Sequence, residues 1–222
     1  MGQTILTPHQ SQFLELVGKE PDLTNNFYFT GGTALTEYYL QHRLSDDIDL
    51  FSETKEVNPL VIEAFLKKIS TSLGVTSISK SQMLGLFNYY LHYQDGTQLK
   101  VDFNYYPFPR IIASISHNKI QIDSLYDIAA NKIQTIFTKP RSRDYIDLFY
   151  IFQKADYSLK DLLIATKTKF DWPIDPLGLA SQFLRAGEFG DEPTMLVSYD
   201  KHKMTNFFAQ LATKLKDNIF QK

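Results

Sequence analysis

Between Asn26 and Phe51 the chain reads NFYFTGGTALTEYYLQHRLSDDIDLF, and this stretch restricts the fold more than any other. A short apolar run, Phe27 to Phe29, is stopped by Gly31-Gly32. A helix-like segment follows from Thr33 to Leu40, and a second apolar run, Ile48, Leu50 and Phe51, carries Asp47 and Asp49. The pattern predicts strand, glycine turn, helix and strand in that order. Side chains alternate across a strand, so Asp47 and Asp49 fall on one side of the second strand and Asp46 on the other.

The flanking sequence extends the same logic. Thr7-Pro8 has the form of an N-cap followed by proline at the first helical position, with Phe13, Leu14 and Val17 at helical spacing and an end near Gly18. Pro59 to Ser72 is an amphipathic helix, and Val75 to Ser79 and Leu86 to Tyr93 are strands. Asp95-Gly96 signals a hairpin whose far side alternates Leu99, Val101 and Phe103 with Lys100, Asp102 and Asn104. Asp102 is thus a third strand carboxylate on a neighbouring strand. After YYPFPR the texture becomes helical. Lys119 to Ile122 is one more short strand, and helices are expected through Ile128 to Phe137, Arg143 to Gln153, Leu159 to Phe170, Pro176 to Ala186 and Lys203 to Phe220. Residues 187–195, GEFGDEPTM, have the least regular composition. The expected organisation is a strand-rich domain over residues 1–115 and a mainly helical domain over 116–222.

Composition sets limits on the chemistry. The 222 residues are 43% hydrophobic with a formal net charge of -2, enough apolar material for a sizeable core and no global basic field. Residues 1 to 110 hold 8 Lys and Arg against 12 Asp and Glu, and residues 111 to 222 hold 15 against 13. The absence of cysteine excludes thiolate catalysis, disulfides and Cys-ligated zinc. No apolar run reaches the length of a membrane span and the first residues do not read as a secretion signal, so no membrane partner and a cytoplasmic location are expected.

Three carboxylates on one sheet face repel one another, and divalent cations rationalise such a cluster most simply. Mg2+ favours carboxylate oxygens together with substrate phosphates, so two or three Asp suffice to hold it. Gly31, Gly32 and Thr33 let backbone N–H groups approach a phosphate at a helix start, where the dipole favours an anion and the Thr33 hydroxyl can add a hydrogen bond. Together these point to phosphoryl or nucleotidyl transfer. Arg43 either holds a phosphate or pairs with Asp46 or Asp47. Arg143 and Asp147, four apart, have the spacing of a helical salt bridge. The five histidines show no ligand spacing.

The succession GGT, helix, HRLSDDIDLF, LKVDFNYYPFPR, IDSLYDIAANKIQTIF and RSRDYIDLFYIF, spanning residues 28–152, resembles the AbiEii/AbiGii toxin family of nucleotidyltransferases, a branch of the DNA polymerase beta-like superfamily. The resemblance implies an α/β (α+β) fold: a nucleotidyltransferase core with a mixed β-sheet flanked by helices, then a helical C-terminal domain. It also implies transfer of NMP from an NTP with Mg2+ or Mn2+, and membership of a toxin-antitoxin or phage-defence operon with an antitoxin partner. Some relatives modify the acceptor end of tRNA, which makes tRNA or another RNA the implied acceptor. On the matched positions, Asp47, Asp49 and Asp102 are metal ligands and catalytic. Gly31, Gly32, Thr33 and Arg143 bind nucleotide, and Arg43 joins them where it holds a phosphate. Lys132 neutralises phosphate, and Asp147 orients that lysine or acts near the acceptor. The small residue usual before the metal pair is here Asp46. The resulting site is expected between the two halves. Two other readings stay open: a catalytically silent regulator of the same fold, and a nucleotidyltransferase acting on a small molecule such as an aminoglycoside.

Overall fold

A computed structural model describes residues 4–83 and 85–220. The chain forms two compact units. One contains the chain up to Tyr39 with Ser45–Pro109 and Ala113–Ser124. The other contains Leu40–Leu44, Arg110–Ile112 and the chain from Leu125 onward.

The first unit is built on a mixed seven-stranded sheet. Its strands are β1 (Tyr28–Thr30), β2 (Ile48–Ser52), β3 (Val75–Met83), β4 (Leu86–Tyr93), β5 (Gln98–Tyr105), β6 (Ile115–His117) and β7 (Ile120–Ile122), in the order β3-β4-β5-β2-β1-β7-β6. The β2–β5 and β1–β7 pairs are parallel, and the other pairs are antiparallel. Helices α1 (Pro8–Val17), the short α2 (Pro21–Thr24), α3 (Gly31–Leu35) and α4 (Pro59–Leu73) belong to this unit.

Alternation along the strands separates core from site. Ile48, Leu50, Leu91, Leu99, Val101 and Phe103 are buried with Phe13, Leu14 and Val17 of α1 and Ile62, Phe65, Leu66 and Ile69 of α4 in one apolar cluster. Each such side chain stabilises the fold by about 1.5–3 kcal/mol when fully buried. The same alternation puts Asp49, Lys100, Asp102 and Asn104 on the other face. Start signals behave as the sequence predicts. Thr7 and Gln10 form a reciprocal capping box at α1, and Asn58 caps α4 just before Pro59.

Two local features depart from expectation. The helix after β1 begins at Gly31 rather than Thr33 and widens into a π-helical turn over Thr36–Leu40, which ends at Gln41 with φ 50°. Strand β6 is unforeseen. It leads into β7 through Asn118-Lys119, both at positive φ (49° and 67°), a two-residue hairpin turn without the usual glycine.

The second unit is helical: α5 (Leu125–Thr138), α6 (Ser142–Lys154), α7 (Leu159–Phe170), α8 (Pro176–Leu184) and α9 (Lys201–Phe220). Ile128, Ile133, Ile146, Leu148, Leu162, Phe183 and Phe208 form its interior, with Tyr145 edge-on to Phe208 at 5.2 Å. A fully buried ion pair joins Lys169 of α7 to Asp127 of α5 (2.8 Å), and Asp127 also accepts from the Ile111 and Ile112 amides. Residues 187–195 are irregular, as their composition suggests, yet tied down. Thr194 O accepts from Leu44 N, Met195 bridges to Arg43, and Asp191 accepts from Ser142 N. Among the described residues no helix is long and apolar enough to cross a membrane.

Candidate active site

The carboxylates of the sheet meet as the strand period predicts. Asp49 and Asp102 are register partners on the parallel strands β2 and β5, and Asp47 lies just before β2. Asp102 is the most enclosed, with its side chain 10% exposed against 32% for Asp47. Its two oxygens have separate partners: Oδ1 accepts from Asn88 Nδ2 at 2.7 Å, and Oδ2 from Lys100 Nζ at 2.7 Å. The same ammonium reaches Asp47 Oδ2 at 3.1 Å. Burial pushes the Asp102 carboxyl up, with Lys100 and Asn88 pulling it back and Asp47 adding to the rise. Burial also opposes charge on Lys100, but Asp102 and then Asp47 outweigh it and hold the ammonium above its ordinary range.

Two carboxylates thus converge on one cation position. Among the described residues no three His, Asp or Glu side chains gather closely enough to cage a metal ion. Mg2+ does not require a cage, because it keeps waters and takes substrate phosphate oxygens. The pair Asp47 and Asp102, with Asp49 beside them, is a donor set suited to it. Asp46 is exposed, in accord with its opposite phase.

The glycine turn is built around Asp49. Gly31 sits at φ +75°, and a Cβ there would lie 2.0 Å from Asp49 Oδ2, so both backbone and carboxylate demand glycine. Thr33 is buried, and its hydroxyl donates to the Asp47 main-chain carbonyl. Phosphate is the partner that the sequence pattern suggests for that hydroxyl. The structure spends it on fixing the loop that presents Asp47.

In the helical unit a second polar cluster surrounds Asp147 of α6, which is fully buried. Arg43 forks onto it, Nε to Oδ1 at 2.7 Å and Nη2 to Oδ2 at 2.8 Å. Lys132 Nζ meets Asp147 Oδ2 at 2.6 Å and Asp144 Oδ1 at 2.8 Å. His42 Nε2 lies 2.9 Å from Asp147 Oδ1, and since an ionised carboxylate only accepts, Nε2 carries the proton. Burial would raise the Asp147 carboxyl, yet the charges of Lys132 and Arg43 and the Arg43 and His42 hydrogen bonds hold it well below the ordinary range.

This cluster revises several residue expectations. Arg43 takes Asp147 as its carboxylate rather than Asp46 or Asp47, and is 1% exposed. The anticipated Arg143–Asp147 pair is replaced. Asp147 is occupied by other cations, and half-buried Arg143 makes no ion pair among the described residues. His42, Asp144, Lys100 and Asn88 are missing from the sequence-derived set. Lys100 and Asn88 shared a strand face with Asp102, a signal that could have included them. His42 and Asp144 gain their roles only by long-range folding.

Residues 15–221 match the family model described as nucleotidyl transferase AbiEii toxin, type IV TA system. An uncharacterised protein of Aquifex aeolicus is 30% identical over 151 residues, 67% of this chain and 68% of that protein. The structure of JHP933 from Helicobacter pylori has the same fold, with a TM-score of 0.61 and 19% identity over 95% of this chain and 91% of that one. A second H. pylori structure gives a TM-score of 0.62, again at 19% identity, over 96% and 97%.

Proposed function

Since the chain belongs to the AbiEii family of nucleotidyl transferase toxins, we propose that it transfers a nucleoside monophosphate from an NTP to an RNA acceptor such as tRNA, with Mg2+ or Mn2+, within a toxin-antitoxin system. The observation that carries this reading is the convergence of Asp47 and Asp102 on one cation position beside Asp49 and the Gly31 turn.

In the reaction the acceptor hydroxyl oxygen bonds to the α-phosphorus, the bond to the bridging oxygen breaks, pyrophosphate leaves, and the hydroxyl proton passes to solvent. Asp47, Asp49 and Asp102 would hold the divalent ion, which when bound neutralises phosphate charge and orients the triphosphate. Asn88 fixes the Asp102 carboxylate through one oxygen and leaves the other to face the cation. The amides of Gly31 and Gly32 serve the triphosphate, while Thr33 keeps Asp47 in place. Lys132 has two of its three N–H donors held by Asp144 and Asp147, and its positive charge is assigned to phosphate. Arg143 adds a second positive charge for phosphate. Asp147, buried beneath Lys132, Arg43 and His42, orients the lysine and does not meet the acceptor.

The test is to incubate the purified chain with Mg2+, total RNA and each labelled NTP. Label should enter RNA with the wild type and fall by at least about a hundredfold with Asp102→Asn, the scale on which lost transition-state charge stabilisation is felt. Undiminished labelling by Asp102→Asn would refute the metal assignment. Tight NTP binding with no turnover and no metal dependence would establish the silent-regulator reading instead.

A further inference from the structure

We propose that Lys100 is a built-in placeholder for the divalent cation: its ammonium holds Asp47 and Asp102 until the metal-bound triphosphate arrives, and then gives up both oxygens and pairs with phosphate. The inference rests on reading Asp47 and Asp102 as cation-binding carboxylates.

Hydrogen bonding limits which oxygens a cation can use. Asp102 Oδ1 is taken by Asn88, so Oδ2 is the oxygen left to face a metal, and Oδ2 is the one Lys100 contacts. On Asp47 the contacted atom is again Oδ2. Lysine and metal therefore compete for the same two oxygens. Lys100 lies two residues before Asp102 on β5, so the strand period aims both side chains to one face and makes the contact local. The lysine side chain is 26% exposed and carries a flexible four-carbon stem, so it can swing away without disturbing the sheet. Without it the two carboxylates would repel.

The arrangement couples metal to nucleotide. A bare divalent ion must expel the ammonium with no new anion to receive it. A metal-triphosphate brings that anion along. Binding of metal alone is therefore weakened, and binding with nucleotide much less so.

The experiment titrates Mn2+ into the full chain, followed by electron paramagnetic resonance, with and without a non-hydrolysable NTP analogue. It uses the wild type, Lys100→Met, Lys100→Gln and Asp102→Asn, each checked for folding by circular dichroism. Lys100→Met and Lys100→Gln should bind Mn2+ without nucleotide at least about tenfold more tightly than the wild type. The tightening caused by the analogue should shrink accordingly. Equal or weaker Mn2+ binding by the folded Lys100 variants overturns the placeholder and leaves the metal site standing. Wild-type binding that Asp102→Asn does not alter overturns the metal reading itself, and the placeholder with it.

Discussion

At the scale of single residues, Gly31 is constrained twice over. A left-handed conformation costs a non-glycine residue about 1–2 kcal/mol, and a Cβ would in addition collide with Asp49. Gly31→Ala should therefore lower stability by more than that conformational cost and abolish transfer. In an Asp49→Ala background the added cost should shrink but not vanish, which a denaturant double-mutant cycle would read out. Full additivity would show that Asp49 does not press on Gly31. The shared face of Asp49, Lys100 and Asp102 was legible because strand geometry is local. The fork of Arg43 onto Asp147 was not, since it joins residues 104 apart. Helical spacing even favoured the wrong partner, Arg143, because periodicity says which residues share a helix face but not whether that face is already saturated.

At the scale of elements, caps and prolines fixed most boundaries: α4 and α8 begin at Pro59 and Pro176, as their sequences suggest. The β6 hairpin escaped because Asn118-Lys119 adopts the turn without glycine, and the π-helical turn because nothing in TEYYL marks it. The α5–α7 packing carries a prediction. Asp127 loses its hydration on burial, but Lys169 and the Ile111 and Ile112 amides more than offset this and hold its carboxyl below the ordinary value. A carboxyl lowered in the folded state stabilises it above the unfolded pKa, about 3.9, and that stability is lost as pH falls through the folded value. Urea titrations from pH 7 downward should show this acid-labile component. Lys169→Met, which strands a buried charge, should cost about 3–5 kcal/mol at pH 7. A loss under 1 kcal/mol would mean that water reaches Asp127.

At the scale of the whole molecule, the change from strands to helices along the chain was plain in the sequence, and the mixed sheet with flanking helices follows the family resemblance. The interleaving of the units was not visible. Leu40–Leu44 and Arg110–Ile112 fold with the helices although they lie among the strands in sequence. A fragment of residues 125–222 would lack Arg43 and His42 for Asp147 and the Ile111 and Ile112 amides for Asp127. Asp147 would keep Lys132 and Asp127 would keep Lys169, but each hydrogen bond lost from a buried carboxylate is worth about 1.5–3 kcal/mol, against a domain stability of about 5–15 kcal/mol. That fragment should therefore show no cooperative thermal transition by circular dichroism, and a sharp transition near that of the full chain would contradict the interdependence. The tie between Arg43 and Met195 also has a place in the order of synthesis. Roughly 150 residues separate the two, which at about 5–20 residues per second is a wait of roughly 8–30 s before the second arrives. The bridge, and the Leu44–Thr194 hydrogen bond beside it, therefore form only after residue 195 has been made.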